Sequence, residues 1–258
     1  MTTLLLVLAH PDDESMGNGT LVARHATTGC AVHLVCATRG AAGWHGRPPG
    51  RSREELPAIR TDELERAAQV LGLASVEIWD YPDGGVPACD QEEISDRIRE
   101  AVQRLQPDAV VGWGPDGGYG HPDHIAVGAC TDRALAGTGL PHYRMGLDRF
   151  AVDAYLRAIE KLGVGSVDMA PVAVERVDAI FEPSAQELTT VRRAIECHDS
   201  QRNAFVEAVL GHDHLLFWMA RNSYVRVTGS LSEPATDLLP ELSAGARRDS
   251  PAPGSTDG

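Results

Sequence analysis

Two short blocks carry most of the chain's chemistry-bearing residues: His10-Pro11-Asp12-Asp13-Glu14 near the start, and His121-Pro122-Asp123-His124 more than a hundred residues later. Imidazoles combined with a carboxylate are the usual ligands of a catalytic divalent cation, which takes three protein ligands and leaves a position open for water or substrate. His10, Asp13, His121 and His124 offer four candidates for those three places, and residue type alone does not choose between His121 and His124. A carboxylate beside the ligands but off the cation serves as general base toward the attacking water. Asp12, one residue before Asp13 and so directed elsewhere, is the candidate. A single Asp after a strand is more often a helix N-cap than a ligand. Two His-Pro-Asp blocks at strand ends outweigh that reading, and the chemistry they indicate is metal-assisted hydrolysis.

Distant blocks meet only if the intervening elements bring them to one edge. Residues 4–9 and 32–37 are short continuous apolar runs, with a helix-compatible stretch over 20–28 and Gly29 between them. Residues 60–71 place Leu64, Ala67, Ala68 and Leu71 on one helical face before Gly72, and residues 76–79 read as the next strand. Ile94, Ile98, Ala101, Val102 and Leu105 mark a third helix, and residues 109–113 a fourth strand. Strands alternating with helices give an α/β class: a Rossmann-like, doubly wound, mostly parallel sheet with helices on both faces. Past Gly137 the alternation weakens, with a strand expected over 174–181 and a helix over 185–198. We expect one domain over residues 1–229, its second half from 137 completing the walls of the site. Residues 230–258, rich in Ser, Pro, Gly and acidic residues and without an aromatic, are expected as a flexible tail.

In such a sheet ligands sit at the carboxyl ends of the strands. Strand one runs into His10, strand two into Thr38-Arg39-Gly40, strand three into Asp80-Tyr81-Pro82-Asp83-Gly84-Gly85, and strand four through Gly117-Gly118-Tyr119-Gly120 into His121. The two His-Pro-Asp blocks therefore face each other across one sheet edge. Residues 39–57 form a long Gly/Pro/Arg-rich loop whose Arg47, Arg51 and Arg53 suit either an anionic group on a substrate or plain solvent. Gly112-Trp113-Gly114-Pro115-Asp116-Gly117 matches a dinucleotide fingerprint only formally, since that motif belongs after the first strand and opens a helix. No serine-hydrolase elbow or P-loop is present. Glu14 reads as an early-helix carboxylate favoured by the dipole, the alternative being a support for the ligands. His198, Asp199 and Ser200 either fold back toward the site or end a surface helix. His212 and His214 around Asp213 are not expected to form a second cluster.

Lys and Arg number 23 against 37 Asp and Glu, a net charge of −14 that repels a phosphate backbone or an anionic membrane surface. Nucleic acid is not an expected partner. Five scattered cysteines without a C-x-x-C pair argue for a reducing compartment rather than a disulfide framework. The apolar run that stops at Ala9 lacks a basic flank and is too short to span a membrane, so a cytoplasmic protein is expected.

The two blocks, with Thr38-Arg39-Gly40, Arg60-Thr61-Asp62-Glu63-Leu64, Tyr81-Pro82-Asp83-Gly84 and the glycine run before His121, resemble the PIG-L/LmbE-like family of metal-dependent N-deacetylases. The resemblance covers residues 3–136, with a weaker echo at 194–201. It implies zinc on His10, Asp13 and His124, ferrous iron being the other candidate, and leaves His121 off the metal. It further implies Asp12 as general base, a protonated His121 at the oxyanion with Asp123 orienting that imidazole, and Tyr119 reaching toward oxyanion or substrate. Arg60, Asp83 and Arg39 would grip substrate hydroxyls, although Arg60 and Glu63 also read as a solvent-facing helix pair. The implied activity is removal of an N-acetyl or N-acyl group from a small N-acetylglucosamine-containing molecule such as a thiol-cofactor or antibiotic precursor. An amidase of thiol S-conjugates is the alternative on the same scaffold. A nucleotide-dependent oxidoreductase ranks lower, because the turns after strands one and two lack its glycines and acid. A homo-oligomer is compatible with all of these.

Overall fold

Seven strands form a single sheet in the order β3-β2-β1-β4-β5-β7-β6: β1 (Thr3–Leu8), β2 (Ala31–Thr38), β3 (Ser75–Tyr81), β4 (Ala109–Trp113), β5 (His142–Met145), β6 (Ala179–Phe181) and β7 (Asn222–Arg226). This computed structural model describes residues 2–43, 49–162, 171–227 and 234–239. Strands β1 to β5 are mutually parallel, whereas β7 runs antiparallel to both β5 and β6. Leu4 to Leu8 are fully buried, as the continuous apolar run requires of a central strand covered on both faces.

The chain steps outward from β1 to β3 through α1 (Gly19–Thr27) and α2 (Leu56–Leu71), then returns through α3 (Gln91–Leu105) to β4 on the opposite side of β1. A single turn, α4 (Gly117–Gly120), and α5 (Pro122–Leu135) follow β4. Right-handed crossovers in opposite directions put α1 and α2 on one face and α3 and α5 on the other. The order reverses between β2-β1 and β4, so a crevice opens where the ends of β1 and β4 diverge. Those are the ends that carry the two His-Pro-Asp blocks.

Beyond β5, α6 (Arg149–Leu162), α7 (Ala185–Cys197), α8 (Ala204–Gly211) and α9 (Asp213–Ala220) build the second half. Helix α7 packs on α1 and α2. Val191, Ile195, Val206, Val209, Leu215 and Leu216 give α7, α8 and α9 a small core of their own.

The sheet matches the expected doubly wound class, with departures in the second half. The strand expected over 174–181 contracts to β6, because Glu175, Arg176 and Asp178 break the apolar run. The short β5 and β7, His-Tyr-Arg-Met and Asn-Ser-Tyr-Val-Arg, mix polar and apolar residues too evenly to signal strands. Helix α2 starts four residues before Arg60, after a 3-10 turn over Arg53–Glu55 closed by a Ser52/Glu55 capping box. Part of the expected tail is packed: Ala235 pairs with Ala179, and Leu238 and Leu239 bury apolar surface in the main core. The rest of that segment, and Arg47, lie outside the described residues. All five cysteines are free.

The two halves are tied by a fork. Arg24 on α1 donates from Nε and Nη2 to the two carboxylate oxygens of Glu187 on α7, at 2.7 and 2.8 Å. Burial would raise the Glu187 carboxyl, but Arg24 and the Ser184 cap win and hold it down at about 2, against an ordinary 4.5. A depressed carboxylate contributes stability above its ordinary pKa and loses it as pH falls through the folded value. Glu187→Gln is therefore expected to lower stability by about 1 kcal/mol at pH 7. The difference from wild type should shrink between about pH 4.5 and 2. Thermal melts of both proteins across that range check this.

Candidate active site

After β1 the chain turns sharply, and Asp12 sits at φ 125°, with Gln106 the only other non-glycine residue at positive φ among the described residues. Such a backbone costs on the order of 1–3 kcal/mol and persists only where its surroundings over-determine it. Those surroundings are visible. Asp12 O accepts from the amides of Ser15 and Met16 at 3.0 and 2.7 Å, and the Asp12 amide donates to Glu14 Oε2 at 3.0 Å. Asp13 is fixed by accepting from the Ala9 and His10 amides at 3.1 and 2.8 Å.

The partner block is aimed by the glycine run. Gly117 lies at φ 61°, and a Cβ there would meet His124 Cβ at 3.0 Å, so only glycine lets this turn fold back over α5. His124 is fully buried and stacks on Trp113 with ring centroids 3.8 Å apart. Its Nδ1 donates to Gly117 O at 3.0 Å, which leaves Nε2 as the free lone pair. That Nε2 lies 3.1 Å from His10 Nδ1 and 3.4 Å from Asp13 Oδ1, and His10 Nδ1 is 3.8 Å from Asp13 Oδ2. Ligands about 2.0–2.2 Å from a tetrahedral ion stand about 3.3–3.6 Å from one another. The His124–Asp13 distance falls in that range and the other two lie about 0.2 Å outside it, so the three groups stand close to the spacing of a ligand triangle.

Behind the triangle, His10 Nε2 touches Asp123 Oδ2 at 3.1 Å and Asp83 Oδ1 at 3.2 Å. Asp123 is held by the Gly84 and Val86 amides at 2.7 and 3.1 Å, and Asp83 by the Ala42 amide at 2.7 Å. Among the described residues, two groups of three could hold a metal ion by proximity of their atoms, His10/His121/His124 and His10/Asp83/Asp123. In the second group both carboxylates are engaged by backbone amides and back the His10 ring, the arrangement by which carboxylates orient metal-binding histidines.

Charge tells the same story. Burial alone would strip the proton from His10, yet Asp123, Asp83 and Asp13 outweigh it and hold the imidazole up at about 10. Burial likewise raises Asp13, but His124 and His10 pull it well below the usual carboxylate range. The cluster carries an excess of negative charge that a proton on His10 partly offsets. A divalent cation meets that demand with more charge and takes the proton's place. The donor set therefore fits a bound cation.

Asp12 is half-buried. Burial pushes its carboxyl up to about 6, opposed by Arg60 and reinforced by Asp13. His121 goes the other way: burial, then His124 and His10, lower it to about 4. Its neutral form is favoured near pH 7, and with Nδ1 accepting from the Asp123 amide at 3.2 Å that form carries its proton on Nε2. Burial thus disfavours the imidazolium expected for His121, and the Asp123 carboxylate contacts His10 rather than His121. Tyr119 stands over the pair, its ring 5.2 Å from His124 and 6.2 Å from His121, and burial lifts its phenol well above 10.

The residues expected to grip substrate divide. Arg60 is buried, donating to Pro11 O, to Gly40 O at 3.0 Å and to Asp12 Oδ2 at 3.0 Å. Gly40, at φ 68°, admits it: a Cβ there would lie 2.4 Å from the guanidinium. Arg60 therefore braces Asp12 rather than reaching from the rim. Asp83 is also inside, 3.9 Å from Arg60 as well as against His10. Only Arg39 faces solvent, paired with Asp80 and bonded to Thr61 Oγ1 at 3.0 Å.

Glu14 is fully buried, not a helix-end carboxylate; it accepts from Ser15 Oγ and contacts His198 Nε2, the latter at 2.7 Å. His198 is buried too and no surface residue. Glu63, on the same inward face of α2 as Arg60, accepts from the Ser200 amide and hydroxyl, both at 2.7 Å. The spacing 60, 64, 67, 71 is the signal in the sequence that puts Arg60 on the apolar stripe. His212 and His214 join neither potential metal group, and Asp213 pairs with Arg192 at 2.7 Å. Beside the ligands lies a cavity of about 560 Å³ bounded by Asp12, Asp13, Tyr119 and a largely apolar wall. Among the described residues, no helix is long and apolar enough to cross a membrane.

The chain is 38% identical over 160 residues to a 1D-myo-inositol 2-acetamido-2-deoxy-alpha-D-glucopyranoside deacetylase of Kineococcus radiotolerans, covering 51% of this chain and 44% of that protein. The chain spans about half the length of such curated relatives. It is 28% identical to a protein of the same name from Mycolicibacterium vanbaalenii, over 94% of this chain and 98% of that one. Among solved structures, N,N'-diacetylchitobiose deacetylase of Pyrococcus horikoshii superposes with a TM-score of 0.60 at 20% identity, covering 88% of this chain and 84% of that one. The 4-carboxy-2-hydroxymuconate hydratase of Pseudomonas putida does so with a TM-score of 0.62 at 19% identity, covering 92% and 100%. At these identities the likeness shows the fold. Residues 5–135, about half of the chain and the part that carries both His-Pro-Asp blocks, match the family described as GlcNAc-PI de-N-acetylase, and the chain belongs to this PIG-L family.

Proposed function

We propose that the protein is a zinc-dependent hydrolase that removes an N-acyl group, acetyl in the simplest case, from a small N-acetylglucosamine-containing molecule. The observation that carries this reading is the half-buried Asp12 carboxylate standing beside the His10, Asp13 and His124 triangle where β1 and β4 diverge. The amino-sugar deacetylase names of its relatives support the substrate class. Imidazole and carboxylate suit zinc and ferrous iron alike, and zinc is the ion we propose.

His10, Asp13 and His124 would hold the cation, whose chemistry there would be Lewis-acid polarisation of the amide carbonyl and acidification of the attacking water. Asp12 takes a proton from that water, its carboxyl raised toward neutrality by burial as a base of this kind requires. Arg60, bonded to Asp12 and to the preceding carbonyl, holds the carboxylate in one orientation while it works. As the carbonyl oxygen gains charge, the Nε2 proton of neutral His121 and the Tyr119 hydroxyl are the donors on its side of the site. Asp12 then returns its proton to the departing amine, and the C–N bond breaks. Asp123 and Asp83 keep His10 oriented throughout.

Two outcomes follow. Asp12→Asn is expected to lower kcat by at least about a thousandfold in assays of amine release while leaving zinc stoichiometry unchanged; full turnover in that variant would remove Asp12 from the base role. Asp123→Asn is expected to weaken zinc binding about 10–100-fold, measured by competition with a chromophoric chelator. An unchanged affinity would mean that Asp123 does not support a zinc-bound His10. Amine release from N-acetylglucosamine conjugates and from thiol S-conjugates, by protein stripped and then reloaded with zinc, separates the deacetylase from the amidase.

A further inference from the structure

The candidate site has two unlike flanks. On the β2–β3 side stand Arg39 with Asp80, Thr61 beneath them, and the Asp83 loop, all polar and partly open. On the β4–β5 side lies the cavity of about 560 Å³, which falls within the about 300–1,000 Å³ of pockets that enclose sizeable ligands and far exceeds what a methyl group fills. Its wall includes Trp113, Met145, Tyr155, Phe205 and Trp218. Three of these rings pack on one another: Tyr155 against Trp218 at 5.5 Å, Tyr155 against Phe205 at 5.9 Å, and Phe205 against Trp218 at 6.2 Å. Trp218 spends its N–H on Ala151 O at 2.6 Å, so its ring contributes only apolar surface. Arg221, which also borders the cavity, has its charge met by Asp148 at 2.6 Å and Glu182 at 3.4 Å. Among the described lining residues the acidic groups are Asp12 and Asp13, so the cavity opens directly on the proposed reacting centre.

An amide carbonyl has two substituents. The amine side of the proposed substrate is a sugar, whose hydroxyls suit the polar flank; the acyl side then faces the apolar cavity. Resting on the deacylase reading above, we infer that this cavity is an acyl-chain subsite, and that the preferred substrate is an amino sugar whose N-acyl group is several carbons longer than acetyl. Hydrolysis adds the oxygen of water to the carbonyl carbon and breaks the C–N bond. The products are a short- to medium-chain carboxylic acid and the free amine.

The test is a chain-length series on the zinc-reloaded full chain: N-acetyl-, N-butanoyl-, N-hexanoyl- and N-octanoylglucosamine. Each methylene buried is expected to raise kcat/KM up to about fourfold, giving at least about a tenfold gain between acetyl and hexanoyl. Ala204→Trp, at the exposed first residue of α8 on the cavity rim, is expected to cut the hexanoyl-to-acetyl ratio of kcat/KM by at least about tenfold by filling that space. A flat or falling series with the acetyl compound cleaved would overturn the subsite and leave the hydrolase reading standing. If no member is cleaved, the hydrolase reading fails, and binding of the same series followed by tryptophan fluorescence decides the subsite. A Kd that tightens with chain length supports it; a length-independent Kd overturns it.

Discussion

Everything in this site hangs on one imidazole wedged between two sets of acids. His10 presents Nε2 to Asp123 and Asp83 and Nδ1 to Asp13 and His124. Burying so many carboxylates around a single base is tolerable only if positive charge sits among them. The lifted His10 is the protein's own partial answer, and a divalent cation is the fuller one. The surrounding fold exists to bring these groups to one point: β1 delivers His10 and Asp13, the β3 loop Asp83, and the start of α5 Asp123 and His124. No single element could do so, which is why the switch point of the sheet is where the chemistry gathers.

A second constraint is the strained turn at Asp12. Its positive φ aims the carboxylate away from Asp13 although the two are neighbours in sequence. The cost is offset by Arg60 on one side and by the Glu14 carboxylate on the other, itself anchored by the fully buried His198. His198 follows α7, so the second half of the chain braces Asp12 in the first half through Glu14. Glu63 and Ser200 repeat that link one turn away along α2. The distal half thus supports Asp12 and Arg60 from behind and, through α8 and α9, shapes the apolar space in front of them.

The first half was largely legible in the sequence. Long apolar runs and clean helical spacing declare β1, β2, β4, α2 and α3, and the topology then forces the two His-Pro-Asp blocks together. What stayed hidden was hidden for physical reasons. Which imidazole binds, and what Asp123 does, depend on ring orientation, which sequence does not carry. Glu63, Glu14 and His198 look like surface groups because burial of a charge shows only once its partner, here more than a hundred residues away, is known. Strands β5 and β7 are too short and too mixed in polarity to register, and the packed Leu238 and Leu239 sit in a segment whose composition argues for disorder.

The central claim is that His10, Asp13 and His124 form the cation site and that the remaining acids and His121 serve it from outside. Anomalous diffraction at the zinc edge, from crystals of zinc-loaded protein, tests this directly. The account predicts one strong peak about 2.0–2.2 Å from His10 Nδ1, His124 Nε2 and the Asp13 carboxylate, with His121 unliganded. A peak on His10 Nε2 shared with Asp83 and Asp123, or one bound through His121, would contradict it.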